Sequence, residues 1–307
     1  MKKDKAAVAY AAPKSLKVQN TIRGYLFVLP MVIPLLIFSY YPPINGLYRS
    51  FFNWNQFGDA VWVGFGNFKE LFQDKVFLNS IPTMFYLMLP SLAIGIIVPL
   101  IVSEMIFSLK SLKAKYIYRV CILLPMVAPG VVSTMLWKFI YDPAYGLMTE
   151  ICRVLGIVGS SDTINWLGNP DLVIGSIIFM GFPWIGGTSV LIYMSGLMAI
   201  SSEVIEASLL DGCSTIKRIL KIDLPQLIGQ IRYFLIFGII GGLQNYGTQL
   251  ILTKGGPGYT TYVPGYYMYM SAFSSQRMGY ACAIGAVLFV FIFIVTIATY
   301  RLVNTKE

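Results

Sequence analysis

Long apolar runs, separated by short polar segments, dominate the chain. An α-helix needs about 20 apolar residues to cross a membrane, because at ~1.5 Å per residue it then spans a hydrocarbon core of about 30 Å. Six runs are near that length: residues 25–41, 81–107, 118–140, 172–197, 227–250 and 280–300. They are continuously apolar, which favours helices over the alternating strands of a barrel. The pattern predicts an all-α, polytopic membrane protein with about six transmembrane helices.

The two polar ends of the chain set the predicted domain boundaries. Residues 1–24 are expected to form an N-terminal tail, residues 25–302 the transmembrane domain, and residues 303–307 a C-terminal tail. The first apolar run follows a basic stretch, as in a secretory signal. It is followed by Pro42 and Pro43 and not by a small-residue cleavage site, so we expect a retained helix.

Basic residues are unevenly distributed between the apolar runs. Only 12% of the residues are charged, about half the fraction that is usual in soluble proteins. If both termini are cytoplasmic, the segments 1–23, 110–119, 217–232 and 301–306 hold 16 of the 23 Lys and Arg, and the outer segments hold 7. This bias follows the positive-inside rule and predicts a multi-pass protein of the cell membrane. The net charge of +9 is therefore a topology signal, and nucleic acid is not an expected partner.

Residue types that catalysis and metal binding usually require are missing or scattered. The chain has no histidine, and its four cysteines form no Cys-x-x-Cys pair, so neither a metal nor another cofactor is expected. Residues 254–258 are glycine-rich but lack the Gly-Lys-Ser/Thr ending of a phosphate loop, and we interpret them as a reverse turn. No polar segment is long enough to form a nucleotide-binding domain. The chain is not expected to be an enzyme.

Charged residues are few within the predicted spans. Glu104, Lys138 and Arg232 lie near span ends, where long side chains can reach polar surroundings. Ion-coupled carriers usually keep carboxylates inside the helix bundle, because an ion path requires them. An ion-coupled secondary transporter stays open as an alternative, and it would need a titratable site and an internal repeat. A membrane-embedded enzyme is a second alternative, and it would need a polar catalytic set.

The polar segment 198–225, between the fourth and fifth predicted spans, carries its own helix signals. Ser201 can cap a first short helix, and Gly212 suits the left-handed conformation that ends it. Ser214 can cap a second short helix that runs through Lys221. Two short amphipathic helices in a cytoplasmic loop are typical of a docking element, although a loop that covers the base of the bundle has the same pattern.

The same segment resembles the EAA loop of ABC importer permeases. Glu206-Ala207-Ser208 is followed after three residues by Gly212, and after nine more by Ile222-x-Leu224-Pro225. The spacing matches, and the sequence departs from the family pattern at Ser208, where the family usually has alanine. Asp211-Gly212-Cys213 is similar to the common Asp-Gly-Ala. The resemblance implies that a cytoplasmic ATPase couples to a site formed by Glu206, Ala207, Ser208, Asp211 and Gly212.

Two further stretches narrow the resemblance to carbohydrate importers. Residues 165–170 and 252–261 look like those of the first of two permeases in importers of the maltose and glycerol-phosphate type, and the similarity covers roughly residues 20–305. The resemblance implies the fold of a type I ABC importer permease and transport of a mono- or oligosaccharide by alternating access. It also implies a second permease, a cytoplasmic ATPase dimer and an extracellular solute-binding protein as partners.

The substrate path is predicted between the two spans that flank segment 198–225. Helical spacing puts two sets on single faces: Gly181, Trp184 and Thr188 in the fourth span, and Gly238, Gly241, Gly242 and Asn245 in the fifth. Small residues also let membrane helices pack closely, which is the favoured role of the glycines. Tryptophan can stack on a sugar ring, and asparagine can donate to and accept from hydroxyls. By resemblance to the related permeases, the predicted substrate-binding residues are Trp184, Thr188, Gly241, Gly242 and Asn245.

Overall fold

Helices make up almost all of the regular structure in the computed structural model, which describes residues 14–55, 57–159 and 161–303, with side chains between residues 22 and 301. Most of the two predicted tails lies outside the described residues. The α-helices are α1 (Lys14–Pro34), α2 (Tyr41–Arg49), α3 (Gly66–Leu71), α4 (Lys75–Phe107), α5 (Leu112–Leu123), α6 (Gly130–Ile140), α7 (Leu147–Val154), α8 (Pro170–Phe179), α9 (Gly187–Met198), α10 (Ser202–Leu210), α11 (Thr215–Arg218), α12 (Leu224–Gln226), α13 (Ile228–Gln244), α14 (Pro264–Phe273) and α15 (Met278–Val303).

Short irregular turns continue several of these helices. The π-helical turns are Leu35–Tyr40, Ile219–Asp223 and Gln249–Thr253, and a 3-10 turn covers Leu124–Val127. Two short strands, β1 (Phe52–Asn53) and β2 (Val61–Trp62), pair antiparallel. The predicted all-α fold is confirmed for the described part of the chain.

The first span contacts the rest of the described chain mainly through α2, which packs against α15. It runs as one rod over Ile22–Arg49, and none of its most apolar stretch is buried. The sequence predicted its end at residue 41, which was too early. Pro42 and Pro43 directly follow the π-helical turn Leu35–Tyr40 and lie in the first turn of α2, and the chain stays helical through them to Arg49.

Helix α4 is the centre of the bundle. It packs against α8, α9, α13 and α14. The main apolar core forms between these helices and consists of Met84, Leu87, Met88, Val173, Ile177, Leu243, Leu252, Val263 and Tyr266. The spacing of Met84, Leu87 and Met88 places them on one face of α4, so a single stripe of this helix supports the core.

A polar cluster fixes the N-terminal end of α4 to α14 and α15. The carboxylate of Asp74 accepts hydrogen bonds from the hydroxyls of Tyr267 at 2.5 Å and Tyr280 at 2.7 Å. Nearby, Arg277 pairs with Glu70 at 2.6 Å and lies over the Tyr280 ring. Burial raises the pKa of Asp74, but the hydrogen bonds from the two tyrosines and from backbone N–H groups outweigh it, so the pKa is lowered. These five residues are called the Asp74 cluster below.

The third and fourth predicted spans are not continuous helices, which corrects the sequence-based prediction. In the third, α5 with its 3-10 turn meets α6 at 88°, and Pro129 begins α6. In the fourth, residues 180–186 separate α8 from α9. Gly181 (φ +92°) and Trp184 (φ +56°) adopt left-handed backbone conformations there, which an α-helix cannot contain. Four other helices are long and apolar enough to cross a membrane. The described chain has up to six candidate spans if two bent pairs, α5 with α6 and α9 with α10, each count as one span.

Candidate functional site

A cavity of about 500 Å³ lies against the core between α4, α8 and α13. Its lining contains no ionisable side chain and consists of Met84, Leu87, Met88, Ser91, Leu92, Ile94, Gly95, Ile96, Ile177, Ile178, Met180, Trp184, Ser189, Phe234, Gly238, Gly241, Gly242, Asn245, Thr248, Gln249 and Val263. A cavity of this volume and largely apolar lining is typical of small-molecule sites, in which a few polar groups orient the ligand.

Two helix breaks face each other across the cavity. One is the link 180–186, which contributes Met180 and Trp184 to the lining. The other follows α13, where Asn245 has extended backbone dihedrals and the helix resumes within a few residues. In a membrane, non-helical backbone is tolerated where it is buried in protein or lines a water-filled cavity. Both breaks therefore contribute residues to the cavity wall, where non-helical backbone can be accommodated.

Trp184 is held in place on three sides. Its indole N–H donates to the backbone oxygen of Ile178 at 3.3 Å. The rings of Phe179 and Phe182 meet it edge-on, with ring centroids 5.5 and 5.0 Å away. A non-glycine residue at positive φ is strained, and such strain persists where surrounding contacts fix it, often at functional sites. The ring is thus oriented in advance at the cavity wall.

The three glycines of α13 that line the cavity have two different roles. A Cβ atom at Gly238 would collide with Leu92 of α4, and one at Gly242 would collide with Met88. These two glycines let α13 approach α4 closely, as the packing interpretation predicts. A Cβ atom at Gly241 would meet no other atom within 4 Å, so this position leaves open space in the cavity.

The structure adds two polar residues that the sequence analysis did not name. Thr248 and Gln249 line the cavity beside Asn245. The side chain of Gln249 is buried, and its Oε1 atom accepts no hydrogen bond from any described residue. Both positions lie within the predicted fifth span, three and four residues after Asn245, so continuing the helical spacing past Asn245 could have found them.

Thr188 does not line this cavity, which corrects its predicted place beside Trp184. The prediction assumed one continuous helix through Gly181, Trp184 and Thr188. Because the link 180–186 interrupts that helix, α9 begins with a new rotation, and the Thr188 hydroxyl is exposed beside the sulfur of Met126, 3.8 Å away. Trp184, Gly241, Gly242 and Asn245 are brought together at the cavity.

The 198–225 segment forms the predicted pair of short helices. Ser201 caps α10 by accepting from the N–H of Val204, and Ser214 caps α11 by accepting from the N–H of Lys217. The second helix was predicted to end at Lys221. In the structure it continues through the turn Ile219–Asp223 into α12. Pro225 does not interrupt this run, because it lies in the first turn of α12, where proline is tolerated, and α12 ends at Gln226.

Gly212 makes the sharp turn between the two helices. Its φ is +66°, and it completes a paired hydrogen-bond motif in which Cys213 N–H donates to Ser208 O and Gly212 N–H donates to Leu209 O. Of the motif residues, Ser208 is buried against the chain, whereas Glu206, Ala207, Asp211 and Gly212 are exposed. The turn therefore presents one face of the segment outward.

Apolar side chains on this segment are exposed as well. Leu209 and Leu210 are 62% and 90% exposed, and Ile216 and Leu220 are also exposed. Clustered apolar residues at the surface of a polar segment are typical of a site that a protein partner covers. The 198–225 segment is thus a second candidate site, separate from the cavity.

Known proteins match the chain over nearly its whole length. It is 28% identical to the multiple sugar-binding transport system permease protein MsmF of Streptococcus mutans, over 95% of this chain and 98% of that protein. It is 29% identical to the trehalose/maltose transport system permease protein MalF of Thermococcus litoralis, over 80% of this chain and 82% of that protein.

A solved structure supports the fold. A chain of a bacterial ABC transporter involved in the import of the acidic polysaccharide alginate superposes with a TM-score of 0.82 at 24% identity, covering 94% of this chain and 98% of that chain. A model of the family described as binding-protein-dependent transport system inner membrane component matches residues 14–306. This family comprises transport proteins and not enzymes. The chain therefore belongs to the binding-protein-dependent transport system inner membrane components, as a multi-pass permease subunit of an importer.

Proposed function

We propose that this permease imports an uncharged carbohydrate of mono- or oligosaccharide size through the cavity between α4, α8 and α13. The observation that carries the proposal is the lining: two broken membrane helices contribute to the wall of a space of about 500 Å³, and no described residue in that wall has an ionisable side chain. Discontinuous membrane helices form substrate sites in many transporters, because the breaks expose backbone polar groups. The names of MsmF and MalF, which specify sugars, point to the same solute class.

The few polar side chains in the cavity lining suit a sugar. Trp184 can stack on the apolar face of a pyranose ring, and Asn245, Thr248 and Gln249 can bind its hydroxyls. A charged solute would lose its hydration in this lining without gaining an ionic partner, which is unfavourable. The absence of charged groups also disfavours the ion-coupled alternative, since a coupling ion requires carboxylates or a comparable set of ligands.

The energy for transport is proposed to come from a cytoplasmic ATPase dimer that docks on the 198–225 segment. The exposed Glu206, Ala207, Asp211 and Gly212, together with the exposed leucines beside them, provide the docking face. ATP hydrolysis then belongs to the partner, and this chain performs no covalent chemistry. A second permease, packed in part against the unburied arm Ile22–Arg49, completes the pore, and an extracellular binding protein delivers the solute.

Alanine variants of Trp184 and Asn245 test the cavity. We expect each to reduce sugar uptake at least tenfold, because a stacking surface or a two-way hydrogen-bond partner is lost, while binding-protein-stimulated ATP hydrolysis largely persists. Thr188→Ala is the matched control, since Thr188 lies outside the cavity, and it should transport normally. The measurement is uptake of labelled sugars by the assembled transporter at equal membrane content. Normal uptake in both Trp184→Ala and Asn245→Ala would show that the cavity is not part of the transport path.

A further inference from the structure

Two buried carboxylates and one guanidinium meet where the 198–225 segment contacts α4. Arg218 Nε donates to Asp223 Oδ2 at 2.9 Å, and the aspartate side chain is fully buried. Glu104, in the last turn of α4, is 6% exposed and interacts electrostatically with both Asp223 and Arg218. Arg218 also donates to the hydroxyl of Ser108 at 3.2 Å and lies over the ring of Phe107. The guanidinium therefore connects the segment to α4.

The charges in this contact do not balance. Both carboxylate oxygens of Glu104, and Oδ1 of Asp223, are buried and accept no hydrogen bond from any described residue. A carboxylate that is ionised and buried without a donor is strongly unfavourable, because it loses hydration and gains no partner. Arg218 carries five N–H donors in a planar fork and can reach more than one acceptor. In this arrangement, however, its ion pair is with Asp223 alone.

We propose that Arg218 exchanges between Asp223 and Glu104 when the 198–225 segment moves relative to α4. The arrangement seen here is one position, with Asp223 paired and Glu104 without a donor. In the other position, the guanidinium pairs with Glu104. One cation between two buried carboxylates gives the contact two discrete arrangements, and transmission of a movement between packed elements depends on such alternatives.

The exchange connects the segment to the cavity. Met84, Met88 and Leu92 of α4 line the cavity, and Glu104 is near the other end of the same helix. A change in the Arg218 contact therefore moves a helix that forms part of the solute site. Arg218 and Glu104 act as positioning residues, since neither lines the cavity. This inference rests on the proposed function, in which a partner drives the 198–225 segment.

Glu104→Gln separates an exchange from a purely structural role. Glutamine keeps the size of the side chain, removes its charge and leaves the Arg218–Asp223 pair intact. If Glu104 only fills space, a neutral side chain relieves an unfavourable burial, and transport is unchanged or improved. If Arg218 exchanges, its second position is lost. We then expect uptake and solute-stimulated ATP hydrolysis of the assembled transporter to fall together, about tenfold, at unchanged membrane content.

A double variant tests whether Glu104 and Arg218 act in one contact. Glu104→Gln combined with Arg218→Gln should be no worse than Arg218→Gln alone, because both changes remove the same interaction. Lys110→Gln is the matched control: it removes a positive charge that closely follows α4, lies outside the 198–225 segment and has an exposed side chain, so this variant should transport normally. Lys115 is a second cation that lies over the Phe107 ring, so Lys115→Gln is combined with Glu104→Gln in parallel.

Wild-type uptake and stimulated hydrolysis in Glu104→Gln would overturn the exchange. So would losses that multiply in the Glu104–Arg218 double variant, or non-additivity with Lys115 in place of Arg218. Failure of the wild-type transporter to take up any carbohydrate contradicts the proposed function instead. In that case, the same comparison made on stimulated ATP hydrolysis still decides whether Arg218 exchanges.

Discussion

Gln249 carries a buried amide oxygen that accepts no hydrogen bond from the described residues. Such a group is unfavourable by roughly 1–3 kcal/mol until a donor reaches it. Because Gln249 lines the cavity, a hydroxyl of a bound sugar is well placed to be that donor. The Gln249 amide oxygen is then destabilising in the empty site and hydrogen-bonded in the occupied site. This difference favours binding of hydroxylated solutes.

Gln249→Leu removes this contact while keeping a side chain of similar size. One hydrogen bond is worth about 1 kcal/mol, so we expect the KM for uptake to rise roughly fivefold. Gln244→Leu is the control, since Gln244 is an exposed glutamine that does not line the cavity, and its KM should be that of the wild type. KM values measured over a range of sugar concentrations would contradict the assignment if the two variants behaved alike.

At the scale of elements, the turn at Gly212 determines how α10 and α11 are oriented toward a partner. The space around Gly212 is open within this chain, so a larger side chain meets no clash there. Its φ of +66° is the constraint, because a residue with a Cβ atom is less stable in that conformation by roughly 1–2 kcal/mol. The effect of a substitution should therefore depend on backbone preference in addition to side-chain size.

Gly212→Leu is expected to insert into the membrane normally and to lose transport, because the turn is strained and the leucine protrudes into the proposed ATPase contact. Gly212→Asn is the matched variant, since asparagine tolerates the left-handed conformation better than other residues. We expect it to retain more activity than Gly212→Leu. Uptake and membrane content of both variants provide the measurement, and wild-type transport by Gly212→Leu would argue against docking at this turn.

Sequence patterns predicted elements best where the signal is local. Ser201, Gly212 and Ser214 were assigned their capping and turn roles from residue type alone, and the structure confirms these roles. The break at residues 180–186 was missed because the segment is apolar throughout, and hydropathy does not distinguish a helix from a link that is held by tertiary contacts. The misplacement of Thr188 followed directly from that missed break.

At the scale of the whole molecule, the fold could be predicted because six apolar runs and a basic bias limit the possible architectures. The contact between Glu104, Asp223 and Arg218 could not, because it joins residues more than a hundred positions apart and periodicity carries no information about such pairs. The side of the membrane on which each segment lies remains a prediction from the distribution of Lys and Arg.

Cysteine labelling tests this topology. In a chain whose four native cysteines are replaced by serine, Ser202→Cys should resist a membrane-impermeant maleimide in intact cells and react after permeabilisation. Tyr145→Cys is the control for the opposite side, since Tyr145 is 95% exposed and lies between α6 and α7, in a predicted outer segment. Labelling of Ser202→Cys from outside intact cells would reverse the proposed orientation.

The Asp74 cluster has a mechanical consequence for α4. This helix has 33 residues, so it is about 50 Å long. The Asp74 cluster fixes one end of α4, and the Arg218 contact holds the other end. A displacement of the Glu104 end would therefore rotate α4 about Asp74. The α4 residues that line the cavity lie between Met84 and Ile96, so a shift at Glu104 reaches them reduced, most strongly at Met84 and least at Ile96. Pro90 and Pro99 each remove a helix hydrogen bond between Asp74 and Glu104, so α4 can bend at these positions. If the contacts at Asp74 were weakened, the Glu104 end could then move without displacing the cavity wall.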